Sequence, residues 1–398
     1  MPESGLLGSV RGAVGNDRPY RERTSENEVA KKAELFQPER DRKINSVVNV
    51  PLGPFSTRSV IVANDWGPVV TPVRYAFRSF DRQWVIPDHR LISMARPALW
   101  EGYSVKQVYL TAPEDRTQEC GAAFTITHLI PDKHHYHGRG GRVYPLWRNV
   151  EATIPNVKAG LLAHLSTIYG REVTPEDMMA YLAAAIAHPA FTARFQKDLI
   201  RPGLRVPLTA DAALFARAVT VGGEVVWLHT YGERFADPSA GRPFGAPRLP
   251  KDRTPSIPKE GAIPGTPEPL PDTMTYDAAA QRLFIGKGYV ENVPPEVWGY
   301  EVSGMNVLRQ WFSYRRRDRR RPIIGDRRPP SPLSFIQPDH WLAEYTDDLI
   351  DLLHVPGGLV ALEPAQKALL DEILAGKLID RAALEAEGVF ASAQTTDA

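Results

Sequence analysis

The protein has 398 residues, of which 43% are hydrophobic and 24% are charged, a composition typical of a globular protein with two or three modest cores. Its 48 lysines and arginines nearly balance 47 aspartates and glutamates, so any attraction to a polyanion must come from local charge asymmetry. The single cysteine excludes an internal disulfide and fits a reducing compartment. Because the sequence has no run of about 18 apolar residues and no N-terminal signal-peptide pattern, we expect a cytoplasmic protein with no membrane partner.

The first 150 residues contain a polar arm followed by short strand-like runs. Residues 1–44 are polar and predict a flexible arm or linker remnant, and residues 45–150 predict a β-rich part. Within it, residues 74–84 alternate aromatic side chains with arginines. Alternate residues of a strand face opposite ways, so the aromatic side chains are expected in the core and the arginines on the surface. Ordinary ion pairs of Asp81 with Arg78 or Arg82 are the alternative.

A histidine-rich loop follows, with His134, His135 and His137 between a proline and several glycines. A metal site is one interpretation of these side chains. No cysteine ligand and no His-Glu-x-x-His helix accompanies them, so we predict that the chain holds no metal. A polar, cationic loop that approaches phosphates fits the glycines better, because glycine permits close backbone approach.

Helical spacing begins at residue 157 and continues through a mixed α/β middle part, residues 151–335. Thr174-Pro175-Glu176-Asp177 predicts a helix start, with threonine as N-cap and proline at the first helical position. A helix that starts at Asp211 is expected to stop at Gly222-Gly223, and Val225–His229 is then predicted to be a buried strand. The Pro- and Gly-rich insertion 238–271 predicts a long surface loop or a disordered segment.

The stretch from Phe284 to Arg328 joins an apolar body to a dense cationic run. Val307, Leu308, Trp311 and Phe312 fall on one face at helical spacing. Residues 314–321 then read Tyr-Arg-Arg-Arg-Asp-Arg-Arg-Arg. This pattern favours a segment with one side docked on the core and the other on a polyanion. A solvated basic loop without a partner is the alternative.

The C-terminal segment, residues 336–390, is acid-rich and helical in pattern. Three helical stretches, 339–353, 364–374 and 381–384, predict a helical hairpin. The fold class expected for the whole chain is therefore α+β, with a β-rich N-terminal part, a mixed α/β middle and a helical C-terminal hairpin.

The sequence contains no P-loop, no Asp/Asn-Pro-Pro-Tyr/Phe, no Gly-x-Ser-x-Gly and no paired-carboxylate nuclease pattern. We therefore predict no catalytic residue in this chain. An enzyme site around the three histidines is the weakest alternative.

Several short motifs occur in a fixed order along residues 45–375. They are Tyr75-x-Phe77-Arg78-Ser79-Phe80-Asp81-Arg82-Gln83-Trp84, Leu129-Ile130-Pro131-Asp132, Val143-Tyr144-Pro145-Leu146-Trp147, Thr174-Pro175-Glu176-Asp177, Tyr181-x6-His188-Pro189-Ala190-Phe191, Arg205-Val206-Pro207-Leu208-Thr209, residues 223–229, Val293-Pro294-Pro295-Glu296-Val297-Trp298 and Gly304-Met305-Asn306-Val307-Leu308-x-x-Trp311. Their order and spacing are similar to the C-terminal specificity region of type ISP restriction-modification enzymes and related DNA adenine methyltransferases. Ala76 and Ser79 depart from the family pattern in the first motif.

The resemblance implies a module of a restriction-modification or phage-defence system that recognises a short asymmetric duplex-DNA sequence. It would present that target to an N6-adenine methyltransferase on another chain, and S-adenosylmethionine is expected on that partner, with no cofactor in this chain. The alternative is a protein-interaction subunit that docks on a methyltransferase and has little DNA affinity. The acidic helices at 339–374 favour this alternative, because they would repel DNA.

The DNA contacts are expected to come from cationic side chains, since phosphate contacts position a protein on the duplex and a few side chains read base edges. The predicted DNA-binding residues are Arg315, Arg316, Arg317, Arg319 and Arg320, with Lys287, Arg139 and Arg142 assisting and Arg78, Arg82 and Arg90 as further candidates. Trp298 and Trp311 are interpreted as core that supports the basic segment.

Overall fold

Small antiparallel sheets and helices alternate along the chain, and the predicted α+β class is confirmed. The computed structural model describes residues 72–389, apart from residues 86, 88–96, 114–119, 134, 137–140, 201–204, 318–337 and 339. The predicted arm, residues 1–44, lies outside the described residues. None of the helices in the described ranges combines the length and apolar character that a membrane crossing requires.

The N-terminal part contains two small sheets. Its elements are β1 (Val73–Arg78), β2 (Asp81–Val85), α1 (Pro97–Glu101), β3 (Tyr109–Pro113), β4 (Thr125–Thr127) and β5 (Gly141–Pro145). Strands β1 and β2 form a hairpin whose register shifts between Ala76 and Arg78, and β3 lies between β4 and β5 in the second sheet. The turn of the hairpin places Phe80 at a positive φ of 61°. Tyr75 and Phe77 are buried, as predicted, and they belong to a small apolar cluster with Tyr109. Arg78 is buried as well, which contradicts the predicted surface position of the arginines.

The middle part is a group of packed helices. It contains α2 (Leu161–Tyr169), α3 (Pro175–Ile186), α4 (Pro189–Arg194) and α5 (Ala212–His229). The predicted start of α3 is confirmed, because the Thr174 hydroxyl accepts from the Asp177 N–H and the Asp177 carboxylate accepts in return from the Thr174 N–H. Phe215 of α5 stacks on Tyr169 and Tyr181, at centroid distances of 4.4 and 5.0 Å.

Helix α5 contradicts two of the sequence predictions. It does not stop at Gly222-Gly223, and Val225–His229 is its last part rather than a strand. Both glycines lie inside the helix, where Gly222 faces α3. A Cβ built on Gly222 would lie 1.7 Å from the carbonyl oxygen of Ala180, so glycine is required here for two helices to approach closely. The glycine pair that predicted the end of a helix therefore marks the place where α5 crosses α3.

The insertion 238–271 is a surface loop with three short 3-10 turns, Pro238–Ala240, Lys251–Arg253 and Lys259–Gly261. It is attached to the helices by hydrogen bonds: the Trp227 indole donates to the Pro243 carbonyl (2.9 Å), and the Leu249 N–H donates to Nδ1 of His354 (3.0 Å). Of the two interpretations open from the sequence, the surface loop is the one observed.

The segment after the insertion positions the start of the basic run. It comprises β6 (Met274–Asp277), β7 (Arg282–Ile285), β8 (Gly288–Val290), α6 (Pro295–Trp298), β9 (Glu301–Val302), β10 (Met305–Asn306) and α7 (Val307–Ser313). Strand β7 pairs with both β6 and β8, and β9 pairs with β10. The predicted apolar face of α7 is confirmed, since Val307, Leu308, Trp311 and Phe312 are all buried.

The C-terminal segment corrects the predicted hairpin. Its first two helical stretches are one helix, α8 (Ala343–Ala375), which continues through Pro356 and Pro364, and the short α9 (Arg381–Ala386) follows. Proline removes a helical hydrogen bond at a cost of about 3 kcal/mol, which is why the sequence predicted a break. Packing offsets this cost here, because α8 buries side chains both before Pro356 and after Pro364, among them Leu352 and Leu369.

One apolar core joins the β-rich, mixed and C-terminal parts. Its buried members run from Phe80 through the helices to Ile373. A smaller cluster lies between the β1–β2 hairpin and β3, and Tyr314 packs against it. The division into residues 45–150, 151–335 and 336–390 stays a prediction.

Gly222 offers a direct test of the helix crossing. Gly222→Ala should lower the free energy of unfolding by about 1–3 kcal/mol or more, because the added methyl group overlaps a backbone oxygen. Gly223→Ala is the matched control in the same helix, since the atoms nearest to a Cβ built on Gly223 belong to the Arg242 guanidinium, at 3.5 Å. Chemical denaturation should find the control as stable as the wild type or more stable, because alanine favours the helix. Equal stability of the two variants would contradict the crossing.

Burial raises the pKa of Glu363 on α8 from its ordinary value of 4.5 to about 6. A carboxyl whose pKa is raised in the folded state contributes stability below pH 4.5, and that contribution is lost as the pH rises through 6. Glu363→Gln should therefore be more stable than the wild type at pH 8 and equally stable at pH 4. Glu372 is the contrast on the same helix, because a hydrogen bond from Arg217 lowers its pKa. Glu372→Gln should give no gain at pH 8 in the same denaturation series.

Candidate nucleic-acid interface

The basic run begins with a buried ion pair rather than with an exposed cation. Arg315 and Asp81 have side chains that are 2% and 1% exposed, and a guanidinium nitrogen of Arg315 lies 2.7 Å from a carboxylate oxygen of Asp81. Arg315 also donates to the Trp311 carbonyl (3.0 Å), and its guanidinium carbon lies 4.0 Å from the centre of the Trp311 ring. Burial opposes the charge of Arg315, but Asp81 outweighs it and raises the pKa above its ordinary value.

A buried and paired Arg315 does not fit the predicted phosphate contact. Its charge is neutralised inside the protein, and its side chain is not accessible to a ligand. Asp81 begins β2, and a pair with the nearby Arg78 or Arg82 was the alternative open from the sequence. The observed pair instead joins residues 234 positions apart and ties the β1–β2 hairpin to the end of α7.

Arg78 and Arg82 are also occupied within the fold. Arg78 is 7% exposed and lies 3.5 Å from the carboxylate of Asp132. Arg82 bridges Asp348 (3.1 Å) and Asp351 (3.2 Å) of α8. These arginines attach the hairpin to the rest of the protein, and their DNA contacts stay predictions.

Two further arginines complete this network, and sequence reasoning did not single them out. Arg74 pairs with Glu344 and Asp348, and Arg248 of the insertion pairs with Asp351 at 2.7 Å. The arginine–aromatic alternation around residue 74 and the acids of α8 were both visible in the sequence. Their pairing was not, because it depends on how the hairpin docks on α8.

Arg316 and Arg317 are exposed, as predicted. The Arg316 N–H donates to the Phe312 carbonyl (3.0 Å), so it continues the helical path of α7, and the Arg317 N–H donates to the Pro271 carbonyl (3.0 Å). These backbone bonds fix where the basic segment leaves the body. Arg319 and Arg320 follow outside the described residues.

Lys287 lies near this point. It occupies the turn between β7 and β8, is 73% exposed and pairs with Glu268 at 3.0 Å. Its neighbour Gly286 packs against Pro271, the residue that accepts from Arg317. The turn and the start of the basic segment therefore share a surface.

Arg142 is exposed on β5, next to Val143. Val143 packs against the small apolar cluster that also receives Tyr314, the residue before Arg315. Arg142 therefore lies on β5, a strand that borders the apolar cluster against which Tyr314 packs. Arg90 and Arg139 lie outside the described residues.

The described part of the histidine loop contains a buried histidine. His135 is 3% exposed, and its Nδ1 lies 3.2 Å from the Ala76 carbonyl oxygen. The described residues contain no group of three or more His, Cys, Asp or Glu side chains arranged to hold a metal ion. His134 and His137 fall outside the described residues.

The two tryptophans have different environments. Trp311 is 2% exposed, which confirms its interpretation as core. Trp298 is only half-buried, stacks on Tyr276 with ring centroids 5.3 Å apart, and lies under the guanidinium of Arg309 at 4.9 Å. Sequence reasoning missed Arg309. Its position, on the face of α7 opposite the apolar residues, was the available signal.

Comparison with known proteins matches residues 22–352 to the Type ISP C-terminal specificity domain. The chain belongs to this family. The match spans most of the sequence and confirms the resemblance predicted from the short motifs. Among curated proteins, none matches the chain.

Two solved structures share the fold of this specificity domain. One is a cryo-EM structure of a DrdV–DNA complex, with a TM-score of 0.57 and 17% identity over 93% of this chain. The other is a nuclease-deletion mutant of the Type ISP restriction-modification enzyme LlaGI with a DNA substrate mimic, with a TM-score of 0.54 and 14% identity over 91% of this chain. The specificity domain corresponds to 36% and 26% of the length of those chains.

The Arg315–Asp81 pair yields a stability prediction for the specificity domain. Arg315→Ala should lower the free energy of unfolding by about 3–5 kcal/mol, because it leaves Asp81 buried without its partner charge. Asp81→Ala should have a similar cost. The double variant should cost less than the sum of the two, which a double-mutant cycle by chemical denaturation measures.

Arg316→Ala is the matched control for this cycle, since the adjacent side chain is exposed. Its stability should stay within about 0.5 kcal/mol of the wild type. A small loss for Arg315→Ala, equal to that of the control, would show that the buried pair does not anchor the segment.

Proposed function

We propose that this chain recognises a short asymmetric duplex-DNA sequence and presents it to an N6-adenine DNA methyltransferase carried on another chain. The system served would be restriction-modification or phage defence. A target-recognition role follows from membership in a family of specificity domains. The two structural relatives above were both determined with DNA or a DNA mimic.

The observation that carries the proposal is the anchored start of the basic segment. Arg315 is fixed inside the protein by Asp81, while Arg316 and Arg317 extend into solvent directly after it. Cations held at a fixed base lose little freedom when they bind, so they suit contacts that position a protein on the phosphate backbone. The run of arginines continues to Arg321 in the sequence.

Because the 398 residues contain no Asp/Asn-Pro-Pro-Tyr/Phe motif, we propose that a methyltransferase partner outside this sequence performs the methyl transfer. S-adenosylmethionine would be bound by that partner. The specificity domain would contribute the selection of the site, and the partner would contribute the transfer of the methyl group.

The alternative, an interaction subunit with little DNA affinity, depended on acidic helices that repel DNA. Acids of α8 are paired within the fold: Glu344, Asp348 and Asp351 bind arginines of the hairpin and the insertion. Asp371 and Glu372 likewise bind Arg194 and Arg217. Internal pairing weakens the repulsion on which the alternative relied, and DNA recognition is the better supported function.

Binding to a mixed duplex-DNA pool across a salt series, followed by sequencing of the bound fraction, tests the proposal. We expect enrichment of one short asymmetric sequence and a fall of log affinity with log salt at a slope of about −4 to −8, typical of several phosphate contacts. No retained duplex at low salt would refute DNA recognition by the isolated chain.

The exposed arginines can be tested separately from the fold. Arg316→Ala combined with Arg317→Ala should reduce the steepness of the salt dependence by about 2, because each lost phosphate contact removes about 0.9. The stability of this double variant should equal that of the wild type. Arg315 is kept unchanged, since its removal would confound binding with unfolding.

Arg194→Ala combined with Arg217→Ala is the matched control. Both side chains are exposed arginines of the helical part, and both pair with acids of α8. This control should keep the wild-type salt slope. If it lost as much DNA affinity as the Arg316 and Arg317 variant, the effect would reflect overall charge rather than a located interface.

A further inference from the structure

Helix α7 and the turn that follows it carry exposed cationic side chains. Arg309 and Ser313 of α7 are exposed, and so are Arg316 and Arg317 after its end, while Val307, Leu308, Trp311, Phe312 and Arg315 are buried. Arg309 therefore lies on the solvent face of α7, away from the apolar residues that attach the helix to the core.

Arg309 is held in place by an aromatic stack. Its guanidinium carbon lies 4.9 Å from the centre of the Trp298 ring, and Trp298 stacks on Tyr276 with an angle of 19° between the ring planes. The Tyr276 hydroxyl donates to the Val293 carbonyl at 2.7 Å. The stack is thereby fixed to the backbone at its Tyr276 end.

Asn306 ties the same stack to the start of α7. Its side-chain oxygen accepts from the Arg309 N–H (2.9 Å) as the N-cap of the helix, and its side-chain amide donates to the Trp298 carbonyl (2.6 Å). One side chain therefore sets both the tryptophan and the backbone of the arginine above it. This arrangement fixes where the guanidinium lies before any ligand binds.

The charge of Arg309 has no ion-pair partner within the described part of the protein. This distinguishes it from Arg74, Arg82 and Arg248, whose charges are neutralised by α8. Two carboxylates lie near the stack, Glu296 and Asp277. Burial is the main cause of the raised pKa of Tyr276, and the two carboxylates raise this pKa further. Neither carboxylate forms an ion pair with Arg309 in the described part of the protein.

We propose that Arg309 binds a phosphate of the duplex backbone and that Trp298 and Tyr276 are positioning residues for it. The inference rests on the proposed function and extends the interface from the basic segment onto α7. A guanidinium stacked on an indole keeps its in-plane N–H groups free, and these match a phosphate in a bidentate arrangement. Arginine suits this site better than lysine, which cannot present the same planar donors.

The experiment measures duplex-DNA binding across a salt series for the full chain and for Arg309→Ala, Arg309→Gln and Arg309→Lys. Arg309→Ala and Arg309→Gln should each reduce the steepness of the salt dependence by about 1 and weaken binding about tenfold, equally for target and unrelated sequences. Arg309→Lys should keep the slope, because it keeps the charge. Its affinity should fall, because the bidentate contact is lost.

The positioning role of Trp298 is tested by measuring DNA affinity and salt slope separately. Trp298→Leu should weaken binding while leaving the salt slope close to the wild-type value, since the charge remains but its orientation is lost. In the Arg309→Ala background, Trp298→Leu should have little additional effect on binding. Additive losses from the two changes would mean that the tryptophan does not act through Arg309.

Arg194→Ala is the control, an exposed arginine that pairs with Asp371 and is expected to leave binding unchanged. Wild-type slope and affinity in Arg309→Ala, with losses in the Arg316 and Arg317 variant, would overturn this inference and leave the proposed function standing. Absence of DNA binding by the wild-type chain would overturn both.

Discussion

The buried pair of Arg315 and Asp81 is the constraint on which the rest of the interface depends. Two charges that are almost fully removed from water are stable only when each is paired and hydrogen-bonded, and here the guanidinium also contacts Trp311. The pair joins the first hairpin to the end of α7 and fixes the point at which the chain emerges as a basic segment. Arg78, Arg82 and Arg315 are held by carboxylates within the fold, and Arg316 and Arg317, which follow this point, are exposed.

The arginines of this domain fall into two groups that differ only in their surroundings. Those on the hairpin and in the insertion meet the acids of α8, so the acid-rich C-terminal helix stabilises the fold instead of repelling a polyanion. Arg309, on the outer face of α7, lies over Trp298 instead. The chain is nearly neutral overall, but several of its acids are paired with arginines where the hairpin docks on α8. It can therefore present a cationic face elsewhere.

The local predictions that succeeded rest on short-range chemistry. The capping box at Thr174 and the apolar face of α7 involve residues a few positions apart, and the structure confirms both. Gly222 and Pro364 led to wrong helix boundaries, because their local preference against helix was considered without the tertiary contacts around them. The contact of Gly222 with Ala180, and the apolar packing of α8 on both sides of its prolines, outweigh the local preferences.

The α+β class, the family and the position of the basic run could be predicted from the amino-acid sequence, because they depend on periodicity and on motifs of neighbouring residues. The sequence did not distinguish Arg315 from Arg316 and Arg317. Tertiary packing was needed to show that Arg315, Arg78 and Arg82 pair with carboxylates within the fold and that Arg309 faces solvent above Trp298. An arginine looks the same in sequence whether its partner is water, a phosphate or a carboxylate. The choice among them is made by contacts such as that between residues 81 and 315, which form only when distant segments pack together.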